Sequence, residues 1–263
     1  MDRRTTAVRA ARAGAALATE LFRTGLDAET KESATDYVTE ADRRTQERIV
    51  DRLAEDYPDE TVIGEEGDGR KRLQSGETAW IVDPIDGTTN YVRGMPLWAT
   101  SVAVVEDGDP VAAANCLPLL GDEYHADTED AVRDAYRPDG PVDGGDTATV
   151  SDTAGLEASL VAPTLRYTGD GAYGSLLGTL SPNVGDVRRF GSAQTTLSLV
   201  AGGHLDAAVG VSEAYPWDTV AGVHLIERAG GTVTDLAGEP WTPGSEGLVA
   251  SNGRIHDDLL ALL

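Results

Sequence analysis

The segment Trp80-Ile81-Val82-Asp83-Pro84-Ile85-Asp86-Gly87-Thr88-Thr89-Asn90 says most about how this chain folds. Its apolar first half predicts a buried strand, and this strand carries Asp83 and Asp86 into a turn. The following Gly87–Thr89 begins a predicted short helix. Hard divalent cations bind carboxylate and carbonyl oxygens, and backbone N–H groups at a helix start bind phosphate. The segment therefore holds the parts of a metal site and of a phosphate cradle, unless Asp86 merely caps its own turn.

Acid spacing alone is weak information here, because 45 of the 263 residues are Asp or Glu. An acid that binds metal is expected at the end of an apolar strand or at a helix start, beside Gly, Pro or Thr. Three more acids meet this condition: Glu65 after Val62–Gly64, Asp218 at a predicted helix start, and Asp42 at the start of the second helix. The alternatives are an exposed loop for Glu65 and helix N-caps for Asp218 and Asp42.

The charge balance points to the setting in which the protein works. The net charge is −24, and 19 of the 21 basic residues are Arg, with Lys31 and Lys71 as the two lysines. A uniformly acidic surface stays soluble when salt screens its self-repulsion, so we expect a halophilic, high-salt cytoplasm. The basic clusters are too small for a duplex, so we expect no nucleic-acid partner.

Several classes of protein are excluded by composition. The single cysteine, Cys116, cannot form an internal disulfide, and no stretch approaches the ~20 apolar residues of a membrane span. The N-terminus lacks the apolar region of a signal peptide. We therefore expect a cytoplasmic protein with an ordinary globular core and no membrane partner.

Hydrophobic periodicity predicts a mixture of helices and strands throughout the chain. Helices are predicted over 5–24, 42–57, 192–201, 217–229 and 254–263, and strands over 80–85, 97–106, 110–117, 205–210, 231–236 and 247–250. Residues 128–152 are rich in Asp, Gly, Pro and Thr, which predicts a loop or an irregular hairpin. This segment is the predicted seam between an N-terminal α+β half (1–150) and a C-terminal α/β half (151–263). The pattern indicates an α+β fold or a layered α/β sandwich.

Taken together, the four acidic segments resemble the inositol monophosphatase family of metal-dependent, lithium-sensitive sugar phosphatases. The most specific motifs are Asp83–Thr88 and Trp217-Asp218-x-x-Ala221-Gly222, and Arg189–Ala193 is similar to the family's substrate segment. The resemblance runs from Lys31 to the C-terminal 249–253. It implies a layered αβαβα sandwich and a homodimer.

The resemblance also implies a catalytic centre with two or three Mg²⁺ ions, with Mn²⁺ as a substitute. Glu65, Asp83 and the Ile85 carbonyl would hold one ion; Asp83, Asp86 and Asp218 would hold the second. A weaker third ion is expected near Glu65. Asp42 and Thr88 would orient and deprotonate the attacking water, so no covalent intermediate is needed.

Substrate contacts are less well defined by the sequence. The N–H groups of Gly87, Thr88 and Thr89 would bind phosphate, and Lys31 matches a lysine near the active site. Further substrate-binding candidates lie in the second half of the chain, and they are Gly191, Ser192, Ala193 and Glu213. Glu213 is a candidate because Val211 stands where many relatives place a sugar-binding acid.

The 163–190 segment, with Arg166, Tyr167, Tyr173 and the Arg188–Arg189 pair, is a candidate for binding a second phosphate, unless these arginines pair with the many acids. The implied substrate is a small phosphate ester, inositol 1-phosphate, fructose 1,6-bisphosphate or both. The alternatives are a 3′-phosphoadenosine 5′-phosphate nucleotidase and a regulatory protein that binds RNA or a partner.

Overall fold

The computed structural model describes residues 1–24, 28–30, 37–142, 144–164 and 171–263. Lys31, Arg166 and Tyr167, which the sequence analysis singled out, lie outside the described residues. The helices are α1 (Arg3–Leu21), α2 (Glu40–Asp56), α3 (Thr88–Val92), α4 (Ala172–Leu180), α5 (Ala193–Ala201), α6 (Pro216–Arg228) and α7 (His256–Leu262). The strands are β1 (Ala28–Thr30), β2 (Tyr37–Thr39), β3 (Thr61–Gly64), β4 (Ala79–Asp86), β5 (Ala99–Glu106), β6 (Asp109–Leu117), β7 (Asp122–Ala126), β8 (Ala131–Ala135), β9 (Asp146–Thr147), β10 (Leu160–Pro163), β11 (Asp186–Val187), β12 (Ala207–Gly210), β13 (Thr232–Thr234) and β14 (Leu248–Ser251).

The strands form two main sheets and one small antiparallel pair, β1–β2. The larger sheet has seven strands in the order β3-β4-β5-β6-β7-β8-β9, in which only the β3–β4 pair is parallel. The smaller sheet has the order β11-β10-β12-β14-β13, with β10 parallel to both of its neighbours. Since each sheet has two apolar faces, helices must cover four faces.

Alternation along β4 shows how the layers stack. Trp80 and Val82 are buried against α1 and α2, whereas Ile81 faces the opposite side, in the core shared with α5 and α6. That central core also contains residues of the five-stranded sheet, such as Ala208. The outer face of this sheet, with Val209, is covered by α4 and α7. The result is a five-layered αβαβα sandwich, which confirms the predicted fold class.

Most predicted elements are confirmed, with ends shifted by a few residues. The hairpin predicted at 97–117 turns at Asp107 and Gly108, which both have positive φ (53° and 92°). The 128–152 segment contains β8 and β9 at the edge of the larger sheet, so it is an irregular hairpin. No strand was predicted at β1, β2, β3, β7, β10 or β11, and no helix was predicted at α4.

The seven-stranded sheet lies within residues 61–147 and the five-stranded sheet within 160–251, while α5 and α6 pack between them. The division of the chain at about residue 150 remains a prediction. Among the described residues, no helix combines the length and the apolar character needed to cross a lipid bilayer.

Candidate metal centre and active site

A β-bulge in β4 brings two acids to the same side of the strand. In a regular strand, residues three apart point to opposite faces. Here Asp83 pairs with Ser101 and Asp86 pairs with Ala99, so β4 uses three residues where β5 uses two. The extra residue reverses the alternation. Asp83 and Asp86 therefore converge, and each is at least nine-tenths buried.

The third member of the cluster comes from the start of α6. Asp83, Asp86 and Asp218 each offer a carboxylate oxygen, and these oxygens all lie within 4.8 Å of one another. Asp218 is the third residue of α6, and its Oδ2 accepts a hydrogen bond from the Tyr215 N–H at 3.1 Å. The N-cap of α6 is thus Tyr215 and not Asp218, which takes part in the cap from the third helical position. This bond does not exclude a metal role for Asp218, because a carboxylate has further lone pairs.

Asp86 is held by the N-terminus of α5. Its carboxylate accepts hydrogen bonds from the Ser192 hydroxyl, from the Ala193 N–H at 3.2 Å and from the Gln194 N–H at 2.6 Å. The predicted substrate segment Gly191–Ala193 thus lies beside a predicted metal ligand, with the Ala193 N–H bonded to it. Ser192 is also the N-cap of α5, through its Oγ and the Thr195 N–H.

Asp83 is the most strongly buried acid of the three. Its Oδ1 is buried and has no hydrogen-bond partner among the described residues. Burial, followed by the charges of Glu65, Asp86 and Asp218, raises the pKa of Asp83 well above its usual value. Burial also raises the pKa of Asp86 to about 6, although its three donors oppose that shift. Without a cation, this cluster concentrates negative charge in a poorly solvated place.

A further buried carboxylate, that of Asp42, lies next to the hydroxyl of Thr88. The Thr88 hydroxyl lies 3.2 Å from Asp42 Oδ1 and 3.1 Å from the Ile85 carbonyl oxygen. Asp42 Oδ2 accepts from the N–H of Thr39 at 2.7 Å and from its hydroxyl at 2.6 Å, which completes a capping box on α2. Burial raises the pKa of Asp42 to about 7. The structure therefore brings together the two residues predicted to handle the proton of the attacking water.

Glu65 follows directly after β3 and lies outside the three-acid cluster, yet close enough for its charge to act on Asp83. The Lys71 ammonium donates to the carbonyl oxygens of Gly64 at 3.0 Å and Glu65 at 2.7 Å. Gln46 on α2 bonds both the N–H and the carbonyl of Glu66, at 2.8 and 2.9 Å. The strand end that carries Glu65 is thus fixed from two sides.

The predicted phosphate-binding turn is closely packed. Gly87 has φ 95°, and a Cβ there would lie 3.0 Å from Ser192 Cβ and 3.1 Å from the Leu97 carbonyl oxygen. Thr88 and Thr89 follow as the first residues of α3. Asn90 Nδ2 donates to the carbonyl oxygens of Leu97 and Phe190, at 2.6 and 2.7 Å. These bonds join the turn to the segment that precedes α5.

Candidate residues for substrate specificity lie at the surface. Glu213 pairs with Arg72, and both side chains are more than half exposed. Arg188 pairs with Asp186, as the alternative interpretation of the arginines expected. Arg189 has no carboxylate partner in the part of the chain that the structure describes, and its guanidinium lies 5.4 Å from the Tyr173 ring centre.

Sequence reasoning missed Gln46, Lys71 and Gln194, whose side chains bond the backbone of Glu65 or of residues next to Glu65 and Asp218. Lys71 had a signal, since it is one of only two lysines. Gln194 directly follows the Gly191–Ala193 segment, but nothing in its local pattern indicates which groups it bonds. Such contacts depend on how α2, α5 and α6 pack, which a local pattern does not show.

The donor set fits a hard divalent cation. All members of the cluster are carboxylates, the ligand type that such ions prefer, and the buried Asp83 Oδ1 is left without a protein partner among the residues described. A cation would offset the charge that raises these pKa values. The fold and this cluster define a layered αβαβα protein with a buried acidic centre that can hold a divalent cation.

Comparisons with known proteins identify the family. A model of the inositol monophosphatase family matches residues 2–263. A fructose-1,6-bisphosphatase/inositol-1-monophosphatase of Thermotoga maritima is 33% identical, covering 89% of this chain and 85% of that protein. The Nus factor SuhB of Pseudomonas aeruginosa is 32% identical, covering 98% and 94%. A solved Thermotoga maritima IMPase structure has a TM-score of 0.86 at 30% identity, covering 100% of this chain and 96% of that one. The chain belongs to the inositol monophosphatase family.

Proposed function

We propose that the protein hydrolyses phosphate monoesters of small sugars or polyols with Mg²⁺. The observation that carries the proposal is the cluster of Asp83, Asp86 and Asp218, whose carboxylate oxygens lie within 4.8 Å of one another beside the Asp42–Thr88 pair. Membership of the inositol monophosphatase family supports the same activity.

The residues divide into two groups by their tasks. Glu65, Asp83, the Ile85 carbonyl, Asp86 and Asp218 would hold the ions. When bound, divalent cations supply positive charge that stabilises a phosphoryl group in transfer. Mn²⁺ has similar oxygen preferences and would substitute.

The proton of the attacking water is assigned to Thr88 and Asp42. Thr88 Oγ1 lies within hydrogen-bonding distance of Asp42 Oδ1, so a proton taken up at the hydroxyl can pass to the carboxylate. The Thr39 bonds hold the other Asp42 oxygen and fix the orientation of the carboxylate. The N–H groups of Gly87, Thr88 and Thr89 are assigned to the phosphate.

For the substrate we propose inositol 1-phosphate, fructose 1,6-bisphosphate or both. The Thermotoga maritima relative bears both names, fructose-1,6-bisphosphatase and inositol-1-monophosphatase. Arg189, stacked near Tyr173 one residue before Phe190, is the candidate for a second phosphate. Glu213 remains the candidate for a sugar hydroxyl, with Arg72 as its present partner.

The test is phosphate release in about 2 M KCl, where the Debye length is only a few Å. With Mg²⁺ present and with or without Li⁺, we compare inositol 1-phosphate, fructose 1,6-bisphosphate and 3′-phosphoadenosine 5′-phosphate. Turnover of either of the first two supports the proposal. A strong nucleotide preference would replace it with the nucleotidase alternative. An intact protein that binds metal but turns over none of the three contradicts it.

A regulatory role is the other alternative, and one relative is named a Nus factor. The net charge of −24 opposes binding to a phosphate backbone, and the acidic cluster is complete. RNA retained at low salt by the metal-free protein would favour that alternative.

We also propose a high-salt cytoplasm and a homodimer for this chain. The first rests on the net charge of −24 with 19 Arg and two Lys, and the second on family membership. A melting temperature that fails to rise with KCl would contradict the former. Light scattering that gives a monomer mass would contradict the latter.

A further inference from the structure

We propose that Gln194 is a positioning residue that sets the separation of two metal ligands, Asp86 and Asp218. The inference rests on the proposed metal site. Gln194 is fully buried at the start of α5. Its backbone N–H donates to Asp86 Oδ2 at 2.6 Å, and its side-chain Nε2 donates to the Trp217 carbonyl oxygen at 2.7 Å. One residue therefore bonds both ligand segments.

The second bond acts directly beside the ligand. The Trp217 carbonyl belongs to the peptide group that joins Trp217 to Asp218, so Gln194 Nε2 restrains the backbone from which the Asp218 side chain projects. The same side chain is restrained from its other side by the Tyr215 N–H. Asp86 comes from β4 and Asp218 from α6, two elements far apart in sequence. Gln194 connects them through a path of only two hydrogen bonds.

A neighbouring polar network orients the Gln194 amide. Asn115 on β6 donates from Nδ2 to Gln194 Oε1 at 2.9 Å and also contacts the Ser198 hydroxyl at 3.0 Å. If the Gln194 amide were flipped, its NH₂ group would face Asn115 Nδ2 and its oxygen would face the Trp217 carbonyl oxygen. Both hydrogen bonds would then be lost. Only the observed orientation pairs the Gln194 amide with both the Trp217 carbonyl oxygen and Asn115 Nδ2, while Asn115 Oδ1 has no hydrogen-bond partner among the described residues.

Close packing prevents the amide from moving away. Helices α5 and α6 meet at Gly222, where a Cβ would lie 2.4 Å from Leu197 Cβ and 3.0 Å from Gln194 Oε1. The side chain therefore lies in a closely packed interior, where a longer side chain would displace a neighbour and a shorter one would leave a cavity. This contact also explains why Gly222 follows the Trp217–Asp218 motif at this spacing.

If Gln194 positions the two ligands, its substitution should weaken metal binding while the fold stays intact. Gln194→Met keeps approximate length and volume but removes the donor to Trp217 and the acceptor for Asn115. Groups that orient a metal ligand affect metal affinity or activity by about 10–100-fold. We expect Gln194→Met to raise the Kd for Mn²⁺ by about tenfold or more, with an intact fold.

The experiment titrates Mn²⁺ into the metal-free full-length protein by calorimetry and measures the Mg²⁺ concentration that gives half-maximal activity. In Gln194→Met both quantities should rise about tenfold, while the substrate KM at saturating Mg²⁺ stays near that of the wild type. Ser198→Ala is the matched control, because it removes a bond from the same network but leaves both Gln194 contacts. We expect it to lower the melting temperature and to leave the Mn²⁺ Kd within about twofold.

If Gln194→Met fails to fold, the same titration is made with Gln194→Asn. This variant retains a buried amide, but the amide is one methylene too short to bond both Asn115 and Trp217. Mn²⁺ affinity equal to that of the wild type in a folded Gln194 variant overturns the inference while leaving the proposed function intact. A wild-type protein that binds no Mn²⁺ overturns both.

Discussion

The substitution Asp83→Asn should stabilise the metal-free protein and at the same time remove its response to Mg²⁺. Asp83 is only 1% exposed, and its carboxylate lies within 4.8 Å of those of Asp86 and Asp218. Two full charges at that distance repel by roughly 3.5 kcal/mol at an effective dielectric constant of 20. Asp83 escapes part of this repulsion by taking up a proton, since its pKa is raised by burial and by neighbouring carboxylates.

Because this proton already removes part of the repulsion at pH 7, Asp83→Asn should stabilise the metal-free protein by less than the sum of two such repulsions. We expect the free energy of unfolding to rise by about 2 kcal/mol. For a chain of this size that corresponds to a rise in Tm of roughly 5 °C. Mg²⁺ at 100 times its Kd stabilises the wild type by about 2.7 kcal/mol. Because the substituted amide cannot supply the charged oxygen that the ion needs, the variant should gain less than about 1 kcal/mol. The advantage of about 2 kcal/mol that the variant has in EDTA should then fall by at least about 1.7 kcal/mol when Mg²⁺ is added.

The assay is thermal unfolding in constant KCl, with EDTA and then with Mg²⁺, alongside phosphate release. Asp206→Asn is the control: Asp206 is a buried carboxylate outside the cluster, and its Oδ2 accepts from the Leu160 N–H at 2.7 Å. Asp206→Asn should be less stable than the wild type with EDTA and with Mg²⁺, and Mg²⁺ should stabilise it by as much as it stabilises the wild type. The reasoning is refuted if Asp83→Asn is less stable than the wild type in EDTA, or if Mg²⁺ stabilises both proteins equally.

Four further outcomes follow from the geometry. Glu123→Gln should lower the free energy of unfolding by about 3–5 kcal/mol in urea titrations, because the Arg12 guanidinium, 2.7 Å from Glu123 and buried, would lose its counter-ion; a loss below about 1 kcal/mol would contradict this. Gly222→Ala should cost about 1–3 kcal/mol in the same assay, because its methyl group overlaps a neighbouring side chain. Thr88→Val should lower kcat about 100-fold while Thr88→Ser retains most of it, and equal kcat values would remove the hydroxyl from the proton path. Burial lowers the pKa of His125 to about 4, so the unfolded chain binds more protons between pH 6.5 and 4 and stability falls as the pH falls through that window. Burial lowers the pKa of His224 to about 4 as well, so the loss between pH 7 and 5 should be smaller by roughly 2 kcal/mol in His125→Gln than in the wild type, as measured by urea titration at both pH values.

The sequence predicted the fold well where periodicity is strong. The predicted helix over 42–57 and the hairpin around Asp107 are confirmed because apolar spacing and turn chemistry act locally. The missed β7 contains Glu123 and His125, two buried polar residues that hide the alternation of a strand. Their burial depends on neighbours from α1, which no local pattern shows.

The acidic cluster was predicted from motifs, but its geometry was not. Nothing in the segment around Pro84 shows that a bulge turns Asp83 and Asp86 to the same side, because the bulge is defined by pairing with β5. Equally, the sequence does not show that Tyr215 is the N-cap of α6 and that Asp218 accepts its N–H from the third helical position. This bond is compatible with metal binding, since lone pairs of the carboxylate remain for a cation.

The functional acids differ from the acids of the surface salt bridges in the kind of partner that holds them. Among the described residues Asp42, Asp83 and Asp86 form no ion pair with Arg or Lys, although salt bridges occur across the rest of the surface. Asp42 and Asp86 accept from hydroxyl and backbone N–H donors instead. A guanidinium in that place would compete with a divalent cation for the same oxygens, whereas neutral donors orient a carboxylate and leave its charge uncompensated. Asp206 is also buried and held by a hydroxyl and a backbone N–H. Neutral donors therefore indicate a metal site only where further carboxylates lie close by, as they do at Asp83, Asp86 and Asp218.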